Sequence, residues 1–188
     1  MSGVMNLANK ITISRIILTP IFITAIVYSR MDIALILFTL AVISDGLDGF
    51  IARTLNQKTA LGTILDPIAD KILLVSAFIC LSLINNVPAN LKLPPYVPII
   101  VISRDAIIVL GSVLVYFIRG DVKIQPSFWG KITTFFQMMT IVSILIKFSH
   151  AEVVWDIAVA LTIISGADYM IKGSQALGEV ATNNKGKH

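Results

Sequence analysis

Four aspartates, Asp45, Asp48, Asp66 and Asp70, fall within 26 residues of one another, inside two long apolar runs. A carboxylate in a membrane-spanning helix costs about 3 kcal/mol even on the lenient insertion scale, so four of them require a compensating reason. Isolated ion pairs would need four cations at the same depth, and only Arg53 and Lys71 lie close in sequence. On a helix turning about 100° per residue, Asp45, Asp48, Gly49 and Ala52 share one face, and Gly62, Asp66 and Asp70 form a similar stripe. The segment Thr54–Ala60 reverses the chain, so two antiparallel helices would offer two carboxylates each to a shared cleft near the cytoplasmic surface. Clustered carboxylates repel one another unless a cation sits between them. Oxygen-only ligation favours Mg²⁺, Mn²⁺ or Ca²⁺ over zinc, and Mg²⁺ typically joins a few carboxylates to substrate phosphates. The chemistry this points to is phosphoryl transfer.

Small residues accompany the carboxylates. Gly46, Gly49, Ala52 and Gly62 remove side-chain bulk beside them. That is the pattern of close helix packing, and equally the pattern of a cradle for a planar or phosphate-bearing ligand. Two further polar groups interrupt apolar runs: Ser103-Arg104-Asp105, and Gly130-Lys131 with Thr133, Thr134 and Gln137 behind it. Arg104 could pair with Asp105 or a motif aspartate, and Lys131 could be an interfacial anchor; both are also candidates for holding an anion.

The elements that must carry these residues are helices. Of the 188 residues, 56% are hydrophobic and 14% charged, which excludes intrinsic disorder and argues against a water-soluble domain. Six apolar stretches stand out: 11–28, 33–55, 61–84, 96–119, 132–148 and 153–171. Each suits a membrane-spanning helix. Their continuity speaks against a β-barrel, whose strands alternate. No signal peptide and no internal repeat is evident. With the N-terminus in the cytoplasm, that side holds Lys10, Arg15, Arg53, Lys58, Arg119, Lys123, Lys131, Lys172, Lys185 and Lys187, against Arg30, Lys92 and Lys147 opposite. This bias places both termini inside and accounts for the +4 net charge without a nucleic-acid partner. The lone Cys80 forms no internal disulfide and reads as a small buried residue. One six-helix membrane domain is expected over 1–180, with a disordered tail from Ala181 to His188.

Read as one string, Asp45-x-x-Asp48-Gly49-x-x-Ala52-Arg53, eight residues, then Gly62-x3-Asp66-x3-Asp70, the region resembles the signature of the CDP-alcohol phosphatidyltransferases without departure. The resemblance extends over the whole chain. It implies an all-α integral membrane enzyme with six spans, commonly homodimeric, that transfers a phosphatidyl group from a CDP-linked lipid to an alcohol and releases CMP. It implies dependence on Mg²⁺ or Mn²⁺. By that resemblance Asp45, Asp48 and Asp66 are metal ligands, and Asp70 is the catalytic base and a possible contact of a second metal. Gly49, Ala52, Arg53 and Gly62 are the CDP-binding positions, with Thr63 beside them.

The acceptor is less sharply implied. Arg104, Lys131 and the opening Asn9-Lys10-Ile11-Thr12-Ile13-Ser14-Arg15 resemble the phosphatidylglycerophosphate synthase branch, in which basic residues contact the phosphate of glycerol 3-phosphate. Ala8 stands where that branch usually has proline, and Gly111, Ser112 and Val113 stand where a second arginine is expected. In this respect the fourth span equally resembles the CDP-lipid-dependent cardiolipin synthases, whose acceptor is phosphatidylglycerol. A different class, a cation-coupled transporter, would use membrane carboxylates as a relay but gives no reason for the glycine, alanine and arginine spacing.

Overall fold

The computed structural model describes residues 7–54, 60–84, 91–119 and 128–185, and the side chains of 16–44, 71–84, 91–111 and 128–175. These residues form six helices: α1 Leu7–Val27, α2 Met31–Thr54, α3 Ala60–Leu83, α4 Tyr96–Arg119, α5 Phe128–Leu145 and α6 Ala151–Lys185. No strand occurs among the described residues. The chain divides into two compact units: 1–95 with 141–151, and 96–140 with 152–188. The stretch 1–180, read above as one domain, thus comprises both units, and α5 is divided between them.

In the first unit α1 packs against both α2 and α3. The buried positions recur at helical spacing: Phe22, Ala25 and Ile26 on α1, Met31, Ala34, Phe38 and Ala41 on α2, and Leu74, Ala77, Phe78 and Leu81 on α3. The alanines let the backbones approach, and the phenylalanines fill the seam; the Phe22 and Phe38 rings stand 5.8 Å apart, tilted by 39°. Pro20 lies inside α1 and removes one backbone donor, while the Thr24 hydroxyl donates to the Pro20 carbonyl at 2.8 Å. After α3 the chain returns with Leu91 and Leu93 buried, and the Leu93 amide donates to the Leu81 carbonyl.

The second unit has a different interior. Val97 and Val101 of α4 and Trp155 and Ala158 of α6 are buried, but so are Arg104, Asp105, Thr133, Gln137, Thr140, Thr162 and Ser165. Outside, the same helices present Ile99, Ile107 and Leu110, Phe135 and Met139, and Ile157, Ile163 and Ile164. A helix with a polar inner stripe and an apolar outer one is inverted relative to a water-soluble protein, and it suits a lipid surround. The first unit shows the same outer surface, with Ile33, Ile36, Leu40 and Ile43 exposed along α2.

By length and composition two helices, Phe128–Leu145 and Ala151–Gln175, are long and apolar enough to cross a membrane among the described residues. Shorter apolar stretches cover Ile16–Val27, Met31–Ser44 and Lys71–Leu83. Several boundaries differ from the sequence reading, among them the start of α1 at Leu7 rather than Ile11 and the end of α5 at Leu145 rather than Phe148. α5 starts at Phe128 rather than Ile132, because Gly130 and Lys131 continue a helix that Phe128 and Trp129 have opened. α6 continues as helix to Lys185, into the stretch expected to lose order from Ala181. Adding a residue to an existing helix is far easier than nucleating one, so a polar stretch carries on once the apolar segment has formed.

Two turns share one geometry. The Ser29 amide donates to the Ile26 carbonyl and the Arg30 amide to Ala25, while Lys147 donates to Ile144 and Phe148 to Ser143. Both are Schellman caps, and each places a non-glycine residue in the left-handed region, Ser29 at φ 59° and Lys147 at φ 57°.

Candidate functional site

The phosphoryl-transfer residues expected from sequence divide between two helices. Asp45, Asp48, Gly49, Ala52 and Arg53 belong to α2, and Gly62, Thr63, Asp66 and Asp70 to α3. Both segments are helical throughout, so Asp45 and Asp48 stand three positions apart and Asp66 and Asp70 four apart on regular helix, close neighbours on one face in each case. Their side chains lie outside the described residues. So does the link at 55–59 that joins the two helices.

Arg104 and Lys131 can be placed. Arg104 is buried in the second unit. Its Nη1 donates to Oδ1 of Asp105 at 2.9 Å, and its Nη2 donates to Oγ of Ser165 on α6 at 2.6 Å. Its Nε is fully buried and has no hydrogen-bond partner. Two glycines border it. A Cβ at Gly130 would stand 3.2 Å from Nη2, and one at Gly166 would stand 3.5 Å from Cγ. Lys131, one residue beyond Gly130, is exposed at the start of α5.

Arg104 is therefore held in a slot walled by α4, α5 and α6, with its charge balanced by Asp105. Hydrogen bonds to the remaining donors and acceptors offset the cost of burying such an ion pair, and Ser165 supplies one of them to Nη2. A polar ladder continues beneath it. The Thr133 hydroxyl lies 2.8 Å from the Trp129 carbonyl and 3.0 Å from the Leu161 carbonyl of α6, with one proton between them. Gln137 Nε2 donates to Thr162 Oγ1 at 3.2 Å, and that hydroxyl donates to the Ala158 carbonyl at 2.6 Å. Gln137 Oε1 is buried without a partner.

Ser165 was not singled out by the sequence. Its signal is there all the same: Ala158, Thr162 and Ser165 recur at spacings of four and three among isoleucines and valines, with Gly166 adjacent. Small polar residues at that period in an apolar helix mark the face turned toward other helices.

Comparison with known proteins adds the family. The model of the CDP-alcohol phosphatidyltransferases matches residues 5–164. The chain is similar to the CDP-diacylglycerol–glycerol-3-phosphate 3-phosphatidyltransferase of Bacillus subtilis, 33% identical over 195 aligned residues that cover 92% of this chain and 97% of the relative. The protein of the same name from Aquifex aeolicus is 29% identical over 177 residues, covering 90% of this chain and 96% of the relative. The human cardiolipin synthase (CMP-forming) is 28% identical over 195 residues, covering 90% of this chain and 62% of the relative.

Proposed function

The chain belongs to the CDP-alcohol phosphatidyltransferase family, and from that premise we propose that it transfers a phosphatidyl group from CDP-diacylglycerol to glycerol 3-phosphate, giving phosphatidylglycerophosphate and CMP. The observation that carries this reading is the coincidence of the complete aspartate motif with relatives of that activity, which align over nine-tenths or more of this chain.

Asp45, Asp48 and Asp66 would hold Mg²⁺ or Mn²⁺ near the diphosphate of the donor. The donor set fits such an ion, since it is all oxygen and lies on two regular helices at spacings of three and four. When bound, the metal supplies charge stabilisation to the diphosphate and the departing CMP. Asp70 would accept the proton of the acceptor hydroxyl. Gly49, Ala52, Gly62 and Thr63 would leave room for the cytidine diphosphate group, and Arg53 would neutralise phosphate with a planar, permanently charged donor. Arg104 and Lys131 would hold the acceptor's phosphate. We read the six helices as membrane spans with both termini cytoplasmic and the protein as a homodimer. The outward isoleucines of α2 and α6 and the loop distribution of lysine and arginine support the spans and their orientation.

One observation favours a second reading. Arg104 already has a carboxylate partner, so it offers less net charge to a dianionic phosphate than a free arginine would. Phosphatidylglycerol carries a single negative charge and brings its phosphate to headgroup depth by its own tails. A cardiolipin synthase would therefore ask less of this slot. An acceptor panel separates the two. Purified protein with CDP-diacylglycerol and Mg²⁺ is expected to form phosphatidylglycerophosphate when glycerol 3-phosphate is added. No lipid product from glycerol 3-phosphate, with cardiolipin and CMP formed from phosphatidylglycerol, would replace the first reading with the second.

A further inference from the structure

Arginine is a long side chain with several soft torsions, and its usefulness to an anion depends on where the guanidinium plane points. In this protein the plane is fixed at both ends: Nη1 on Asp105, and Nη2 on Ser165. Asp105 lies on the same helix as Arg104, so that bond alone would let the group swing with α4. Ser165 comes from another helix, 61 residues away in sequence, and is itself fully buried. Its hydroxyl is neutral, so it adds direction to the guanidinium without cancelling more of its charge. The space is matched to the same end. Gly130 faces Nη2 so closely that any side chain there would be tighter than an ordinary contact. Nη1 and Nη2 each have one hydrogen-bond partner and a second N–H besides, while the buried Nε has none.

We propose that Ser165 is a positioning residue: together with the bare backbone at Gly130 it sets the orientation of Arg104, and through Arg104 the affinity for the acceptor's phosphate. The inference rests on reading Arg104 as the acceptor's phosphate ligand. Neither Ser165 nor Gly130 needs to touch substrate.

The test uses the full chain, purified and assayed with both substrates varied. Ser165→Ala removes the hydroxyl and is expected to raise KM for glycerol 3-phosphate about tenfold, the size of one hydrogen bond to a charged group, while KM for CDP-diacylglycerol stays within about twofold. Ser165→Thr keeps the hydroxyl and is expected to restore most of the affinity. Gly130→Ala provides a route that does not depend on the serine. The guanidinium is the mobile end of its side chain, so the new methyl is relieved by displacing it rather than by unfolding the helices, and the same selective rise in KM follows. In an Arg104→Ala background, Ser165→Ala is expected to change KM no further.

The outcomes separate the two layers. A raised KM for glycerol 3-phosphate in Arg104→Ala with an unaltered one in Ser165→Ala overturns the positioning role and leaves the acceptor reading intact. An unaltered KM in Arg104→Ala overturns the acceptor reading and the positioning role with it. Equal losses for both substrates in Ser165→Ala, with a lowered melting temperature and no rescue by threonine, reduce Ser165 to a structural contact and overturn the proposal.

Discussion

Arg104 and Asp105 are neighbours in sequence, and neighbours on a helix point about 100° apart. They meet at 2.9 Å because the arginine stem is long enough to curl back. Nothing in the spacing of α4 declares which partner Arg104 takes, and the sequence leaves it open between Asp105 and a motif aspartate. The motif itself is the opposite case. Its four aspartates stand out in the sequence because carboxylates at that number and period are costly in an apolar helix without a compensating reason. At this scale two outcomes are expected. Asp45→Asn, Asp48→Asn and Asp66→Asn each lower CMP release at least about a hundredfold in folded protein, and excess EDTA abolishes it; full activity in chelator would remove the metal from the reading. The buried pair behaves differently in stability and in function. Replacing it whole, as Arg104→Met with Asp105→Leu, is expected to leave thermal stability unchanged or higher, since desolvating two charges offsets their attraction. Arg104→Met alone takes the countercharge from a buried carboxylate and is expected to lose stability, up to about 3–5 kcal/mol. Thermal unfolding in one detergent, beside an activity assay, reads both.

The helices were legible for the simplest reason, continuous apolar runs separated by short polar or proline-rich breaks. α4 begins and ends at Tyr96 and Arg119 as the run does. The misjudged start of α5 and end of α6 lie where a helix continues through residues that would not start one. The helix ends also carry strain that sequence does not advertise. Ser29 and Lys147 hold the left-handed conformation that glycine adopts freely. Ser29→Gly is expected to stabilise the protein by up to about 1 kcal/mol in thermal unfolding, since an L side chain there costs about 1–2 kcal/mol and glycine gives part of that back as unfolded-chain entropy. Packing between helices has its own arithmetic in lipid. The surround is as apolar as the core, so burial of Phe22 against Phe38 adds little transfer energy and acts through contact alone. Phe22→Ala is then expected to cost about 2 kcal/mol, the cavity term for about 100 Å³ of lost volume, rather than the larger value typical of water-soluble cores. Measurement of unfolding in mixed micelles distinguishes the two.

Both units present isoleucines on their outer surface, and they differ in what they keep inside. The first is sealed by phenylalanine, leucine and alanine; the second encloses a charge pair and a ladder of hydroxyls. The proposed six spans with cytoplasmic termini predict the sidedness of the far ends. With Cys80 removed as Cys80→Ala, a Lys187→Cys variant is expected to resist an impermeant thiol reagent in intact cells and to react once the membrane is opened. Reaction in intact cells would invert the topology.

Among the described residues, the two helices that are long and apolar enough to cross a membrane are unequal. The apolar stretch of α5 has 18 residues and that of α6 has 25, or about 27 Å and about 37 Å of helix. A hydrocarbon core of about 30 Å accommodates the first upright, and the second is long enough to cross it with some tilt. Ser165 and Thr162 ride on that helix, so a bilayer thickness that changes the tilt of α6 is expected to act on the hydroxyl bonded to Arg104. Reconstitution in lipids of increasing acyl length is expected to move KM for glycerol 3-phosphate while KM for CDP-diacylglycerol stays level, which makes the acyl chains of the surrounding membrane a tuner of the headgroup chemistry.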